Sequence, residues 1–269
     1  MQKEGQNKIY QVVENYIPVT HLKKNNKRKS WKYGYDKDFE VIVISRTGKI
    51  GEVVLIGGIH IALPPTPQKM SKPTTDYWER KEYPKALHRI NSIFQWNDMA
   101  REFKDRWIDY IETEFDRREE GHWFINNKKP TYITGAHYMY LQWTKIDVGS
   151  PDYREANRIF FIYWEACKAD KRCFGMVYLK IRRSGFSFMG SSEAVNTATM
   201  ARDARVGILS KTGSDAKKMF TDKVVPISQH LPFFFKPIQD GMDKPKTELA
   251  YRIPASKITK NNMHKIGNE

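Results

Sequence analysis

The residues best placed for chemistry are Lys180, Arg182, Arg183, Ser184, Gly185, Phe186 and Ser187, which with Ile181 form the run KIRRSGFS. Cations, a glycine and hydroxyls in one short run suit a ligand made of anionic oxygens. The cations neutralise charge, glycine lets the backbone approach closely, and a hydroxyl can bind a phosphate or its metal ion. The phosphate-loop pattern GxxxxGK(S/T) has glycine first and sixth, lysine seventh and a hydroxyl eighth. Over the same positions this chain has Lys180 first, Gly185 sixth, Phe186 seventh and Ser187 eighth. The second glycine and the hydroxyl are in place, and a lysine at the start of the loop can reach across to the same phosphates. Two other readings use these residues. One is a nucleophile elbow, GxSxG, with Ser187 as nucleophile and His230 or His264 downstream; it wants glycine where Met189 stands. The other is a plain structural junction with no ligand.

Such a loop needs a strand before it and a helix after it. Residues 174–181 (FGMVYLKI) have the continuous apolar character of a buried strand. Residues 188–202 read as a helix with small residues on one side, and residues 205–210 (RVGILS) return as a strand, which makes a βαβ unit. Residues 215–229 are again helical. This alternation predicts an α/β protein with a parallel sheet flanked by helices. A phosphate at the strand–helix junction meets unpaired N–H groups and the positive end of the helix dipole.

Upstream, Trp96, Met99, Phe103, Trp107, Ile111 and Phe115 recur at steps of three and four and predict a helix over residues 94–120, stopped by Gly121. The stripe is core rather than ligand, and Glu112, Glu114, Asp116, Glu119 and Glu120 read as its solvated face. The spacing does not demand that these acids converge with His122 on a metal. A second helix is expected from Ser150-Pro151-Asp152, a good cap and first turn, with Tyr153, Ala156, Phe160, Trp164 and Cys167 on its apolar face. Residues 39–45 and 52–63 read as strands around a turn at Thr47-Gly48-Lys49. Pro64, Pro65 and Pro67 then open a linker to about residue 75. The expected division is residues 1–75 as a β-containing extension and linker, and residues 76–269 as the larger domain. Lys23, Lys24, Lys27, Arg28, Lys29 and Lys32, with Trp31, Tyr33 and Tyr35, form either a terminal segment or an arm for nucleic acid.

Composition narrows the partners. Of 269 residues, 40% are hydrophobic and 13% aromatic, enough for a core. A net charge of +15 favours polyanions, or is a basic solvated surface. No apolar run approaches the length of a membrane span, and the N-terminal residues have no signal-peptide core. Cys167 and Cys173 are too few for a disulfide framework or a four-ligand metal site and read as reduced thiols.

KIRRSGFS resembles the deviant Walker A loop of large terminase subunits, the ATP-driven motors that pump DNA into the capsids of tailed bacteriophages and herpesviruses. Trp123-Phe124 followed by Tyr132-Ile133-Thr134-Gly135-Ala136-His137-Tyr138 resembles the ITGxHY-like stretch before their ATPase core. ILSKTGSDAKKMF resembles the second core strand and following helix. The resemblance covers roughly residues 90–230. It implies an ASCE-type P-loop NTPase fold that binds ATP and Mg2+. Lys180 would contact the β- and γ-phosphates, with Arg182 and Ser184 in the same loop. Arg183 would assist or act as a trigger between subunits. Gly185 would let the backbone approach the phosphates, Phe186 would stand beside it in the nucleotide-binding loop, Ser187 would hold Mg2+, and Gln142 of YMYLQW would contact adenine. The implied partners are double-stranded DNA, the portal protein, the small terminase subunit and further copies in a ring on the capsid, with no membrane. The implied location is the host cytoplasm, transiently at the procapsid portal.

The sequence departs from the family where hydrolysis would be completed. The apolar runs 224–227, 231–235 and 249–253 do not end in the Asp-Glu pair of a Walker B strand. The nuclease domain's acidic cluster is also missing. The expectation is therefore the N-terminal portion of a packaging ATPase, as a fragment, a split product or part of a longer chain. Alone it would bind nucleotide weakly and hydrolyse almost none. The alternatives are another translocase or helicase-like P-loop ATPase, and a non-catalytic DNA-binding module with a decayed loop.

Overall fold

The computed structural model describes residues 31–70, 75–147, 149–201, 204–240 and 245–251. Its strands are β1 (Gly34–Asp36), β2 (Val41–Val43), β3 (Val53–Ile56), β4 (Ile59–Ala62), β5 (His122–Asn126), β6 (Lys129–Ile133), β7 (Gln239–Asp240) and β8 (Ala250–Tyr251). Its helices are α1 (Ile93–Asn97), α2 (Arg101–Glu120), α3 (Gly135–Trp143), α4 (Glu155–Ala169), α5 (Phe186–Met200), α6 (Gly213–Met219) and α7 (Val225–His230). The chain divides into two units interleaved along the sequence. One takes residues 1–78, 120–134 and 153–179; the other takes residues 79–119, 135–152 and 180–269.

The first unit is organised by β-branched residues at alternate positions. Its sheet has the order β1-β2-β4-β3, with β2 and β4 parallel and the other two pairings antiparallel. The stretch expected as one strand over residues 52–63 is instead a hairpin. Gly57 and Gly58 hold positive φ values of 57° and 79°, the conformation a tight primed turn requires. Alternation sends Ile42, Ile44, Val54, Ile56 and Ile61 to one face, which α4 covers through Ile162, Ala166 and Ala169. Val41, Val43, Val53 and Ala62 point to the other face, beside Trp31 and Phe39. α4 begins at Glu155, later than expected, with Arg154 at its N-cap and no side-chain cap. Ala156, expected on the apolar face, is exposed; the buried face runs through Asn157, Phe160, Phe161, Ile162 and Glu165.

The aromatics of the expected arm are used within this unit. Trp31 meets Phe39 edge-on at 4.9 Å, Tyr33 donates to Glu165 Oε1 at 3.0 Å, and the Arg172 guanidinium lies 3.3 Å above the Tyr35 ring. Burial, then Glu165, pushes Tyr33 up to about 12. Glu165 also pairs with Lys168 at 2.7 Å and Arg46 at 3.6 Å. Lys23, Lys24, Lys27, Arg28 and Lys29 lie outside the described residues.

In the second unit the expected helix over residues 94–120 breaks at residues 98–100 into α1 and α2. Ser92 Oγ caps α1 by accepting from the Gln95 N–H at 3.3 Å. Of the stripe, Trp96, Ile111 and Phe115 are buried while Met99, Phe103 and Trp107 are half-buried, and Ile108, which the stripe did not include, is buried too. Their partners are Phe233, Phe234 and Phe235, in a buried 3-10 turn: Trp96 stacks on Phe233 at 5.3 Å and Phe115 meets Phe235 at 4.9 Å. Burial of each such ring contributes roughly 1.5–3 kcal/mol. Glu114 is not on a solvated face. It is 1% exposed and accepts from Tyr138 Oη at 2.6 Å and Trp143 Nε1 at 3.1 Å, with Arg117 at 2.5 Å. These bonds offset its removal from water. Ser150, expected to cap a helix, accepts from the Arg80 guanidinium instead.

The βαβ expectation needs its largest correction here. Residues 174–181 and 205–210 are not strands and have no ladder partner among the described residues. Phe174, Val177, Leu179 and Ile181 are 81–102% exposed, and Leu209 is 99% exposed. Apolar content makes a segment strand-prone, but a parallel strand forms only against neighbours that accept its backbone bonds and cover both faces. Among the described residues the parallel pairing is β2 with β4. The fold is thus α/β with a small mixed sheet, rather than a large parallel sheet with helices on both sides. No helix among the described residues is long and apolar enough to cross a membrane.

Candidate functional site

Glycine sets the start of α5. Gly185 stands at its N-cap with φ 81° and ψ 1°, a left-handed conformation that glycine adopts at little cost. Its carbonyl accepts from the N–H groups of Phe188 at 3.0 Å and Met189 at 3.2 Å, which opens the helix two residues earlier than the sequence suggested. Helix geometry leaves the first N–H groups of α5 without intrahelical acceptors, at the positive end of the dipole. Arg183 is also left-handed, with φ 65°. For a residue with a Cβ this costs roughly 1–2 kcal/mol. Strain of this kind gathers at ligand clamps.

Lys180, Arg182, Arg183, Gly185 and Ser187 are all exposed in this loop, and Phe186 is half-buried. Ser184 is half-buried, and its Oγ is shielded from solvent with no hydrogen-bond partner among the described residues. A Cβ built on Gly185 would meet Tyr140 Oη at 3.7 Å and nothing else within 4 Å, so the space beside the turn is open. The arrangement offers cations, hydroxyls and a helix N-terminus to one anionic ligand. Tyr140 was not singled out from the sequence, though it lies in the same run as Tyr138. Its helical position, three residues after His137, was the signal available. Lys223 was also missed; its Nζ lies 3.7 Å over the Phe188 ring in the first turns of α5.

The body of α5 is anchored from two sides. Thr144 and Ser192 share a hydroxyl–hydroxyl bond of 2.7 Å. Arg118, 2% exposed, donates from Nε to Asn196 Oδ1 at 2.7 Å, from Nη2 to the Asn196 carbonyl at 3.3 Å and to Thr199 Oγ1, and lies 4.6 Å over Phe235. Burial pulls its pKa down to about 9, against the opposing pull of Glu193. Gly135 is needed where α3 starts, because a Cβ there would overlap the Arg118 carbonyl and come within 2.6 Å of its carbon.

Gln142 is placed differently from the adenine-contacting role. It is 2% exposed, and its carboxamide pairs with the backbone of Lys81, accepting at 3.1 Å and donating at 2.8 Å. Its own carbonyl accepts from Arg80 Nε at 2.8 Å. The loop residues share one turn by their sequence positions, whereas the Gln142 amide is held on the chain at residue 81. The nucleophile-elbow reading finds no geometric support. His230 Nδ1 bonds the Pro226 carbonyl at 2.7 Å and Nε2 faces Lys145 Nζ at 3.2 Å, so neither ring nitrogen is given to Ser187. The lysine must donate, which makes Nδ1 the protonated nitrogen. His264 lies outside the described residues. Among the described residues no group of three His, Cys, Asp or Glu side chains is arranged to hold a metal.

Comparison of the chain with protein-family models, with curated proteins and with solved structures gave no match.

Proposed function

We infer that residues 180–187 are the phosphate-binding loop of an ATP-dependent nucleic-acid motor of the large-terminase kind. The observation that carries this reading is the left-handed Gly185 opening α5 directly behind Lys180, Arg182 and Arg183. In it the α5 N-terminus and Lys180 hold the β- and γ-phosphates, Arg182 and Arg183 add charge, and Ser187 presents its hydroxyl to Mg2+. The donor set fits: an exposed glycine turn, an exposed hydroxyl and cations with no acidic neighbour in the run KIRRSGFS. Bound Mg2+ would neutralise phosphate charge as the terminal phosphoryl group is transferred. The finer fold, a P-loop NTPase core around α5, belongs to this proposal, as do double-stranded DNA, a portal, a small subunit and a homo-oligomeric ring as partners. A net charge of +15 supports the DNA track.

Hydrogen exchange tests the reading. ATP with Mg2+ should slow amide exchange across residues 184–188, and adenosine should not, because the contacts are to phosphate. Unchanged exchange there, with saturable ATP binding elsewhere, would sink the assignment.

A further inference from the structure

The two cysteines meet in the first unit. α4 ends at Ala169, and the following turn is closed by the Cys173 N–H on the Asp170 carbonyl at 2.9 Å. This turn brings Cys173 back beside the last turn of α4, where Cys167 stands. Both line one cavity of about 150 Å³, with Ile42, Ile59, Tyr163 and Met176 in its walls. Both are free thiols, half-buried. The Cys173 thiol donates to the Gly175 carbonyl at 3.3 Å, and Cys173 is the chief neighbouring group acting on the Cys167 thiol. Asp170 lines the same cavity, but its carboxylate is held by Arg172 at 2.8 and 3.0 Å and is not offered to the thiols as a metal ligand.

We propose that Cys167 and Cys173 form a reversible dithiol–disulfide site whose co-reactant is a low-molecular-weight disulfide of the glutathione type. The Cys173 thiolate attacks one sulfur of that disulfide, forming a mixed disulfide and releasing one thiol. The Cys167 thiol then loses its proton and attacks the Cys173 sulfur. The intramolecular bond forms and the second small thiol leaves. One small disulfide is reduced to two thiols while the protein dithiol is oxidised. The order of attack follows from the surroundings. Burial, then the neighbouring Cys173 thiol, pushes Cys167 up to about 12, which makes it a poor first nucleophile and leaves it the resolving step. With Cys167 lining the same cavity of about 150 Å³, its thiol displaces a small-thiol adduct on Cys173 rather than leaving it in place. The bond would pin the chain at Cys173, directly before the exposed segment 174–181 that leads into the loop.

Intact mass and free-thiol counting on the folded full chain, treated with oxidised glutathione, test this. The expected result is joint loss of both thiols, a mass lower by two hydrogens, no retained glutathione, and full reversal by dithiothreitol. Cys167→Ser should keep a stable glutathione adduct on Cys173, and Cys173→Ser should react at least tenfold more slowly than Cys167→Ser. Stable adducts on the unsubstituted chain, a disulfide between chains, or two thiols that stay unreacted while a control exposed thiol is oxidised would each overturn the proposal.

Discussion

Alanine at Gly185 and alanine at Gly190 should change stability in opposite directions. At Gly185 the space is open, with Tyr140 Oη at 3.7 Å, so the cost is conformational and comes from φ 81°. Holding a Cβ-bearing residue there costs roughly 1–2 kcal/mol, partly offset by the smaller entropy of the unfolded alanine chain, for a net loss of about 1 kcal/mol. Gly190 lies inside α5, where a Cβ would meet nothing within 4 Å. Alanine is the better helix former, so Gly190→Ala should stabilise by roughly 0.5–1 kcal/mol. In thermal melts followed by circular dichroism, a change of 1 kcal/mol in a domain of this size moves Tm by about 2–4 °C. Gly185→Ala should melt lower than the parent and Gly190→Ala higher. If both substitutions raise Tm equally, the left-handed turn at the loop does not exist and the site geometry fails with it.

Gly135→Ala should be more damaging than either, because its Cβ overlaps the backbone of Arg118 rather than a flexible side chain. Overpacking of this kind costs roughly 1–3 kcal/mol, read as a lower urea midpoint; an unchanged midpoint would contradict the α2–α3 contact. Glu165 should make stability fall in acid. Burial acts to raise its pKa, but Lys168 and Arg46 outweigh that and hold it below the ordinary value of 4.5. A depressed folded pKa stabilises the protein above the unfolded pKa, and that contribution is lost as pH falls through the folded value. Glu165→Gln should therefore be less stable than the parent at neutral pH by about 1–2 kcal/mol, with the gap closing as the pH falls through the folded value. A gap that persists in strong acid would contradict the ion-pair account.

Helical features were the more legible in the sequence, because a helix satisfies its own backbone bonds. The Trp96–Phe115 stripe needed no distant partner to be read, whereas the Thr212 cap on Asp215 at 3.1 Å starts α6 before the expected residue 215. Residues 174–181 and 205–210 show the converse. Their composition records a strand's preference, while their pairing depends on other chain segments that local pattern cannot name. The hairpin within residues 52–63 was readable from Gly57-Gly58 and was missed because the flanking apolar run is continuous. Glu114 and Gln142 were misjudged for one reason: polar residues bury readily when fully bonded, and their partners Tyr138, Trp143 and the Lys81 backbone are distant in sequence. The turn before α5 was legible at Gly185. Tyr140 and Lys223 approach it only through tertiary packing.

Calorimetric titration of the full chain with ATP and Mg2+, for the parent, Lys180→Ala and Lys211→Ala, bears on the phosphate loop most directly. A charged hydrogen bond to phosphate contributes about 1.5–3 kcal/mol, so Lys180→Ala should weaken binding roughly tenfold or more, and Lys211→Ala should change it little. Absence of ATP binding by the parent, or equal losses from the two lysine substitutions, would contradict the account.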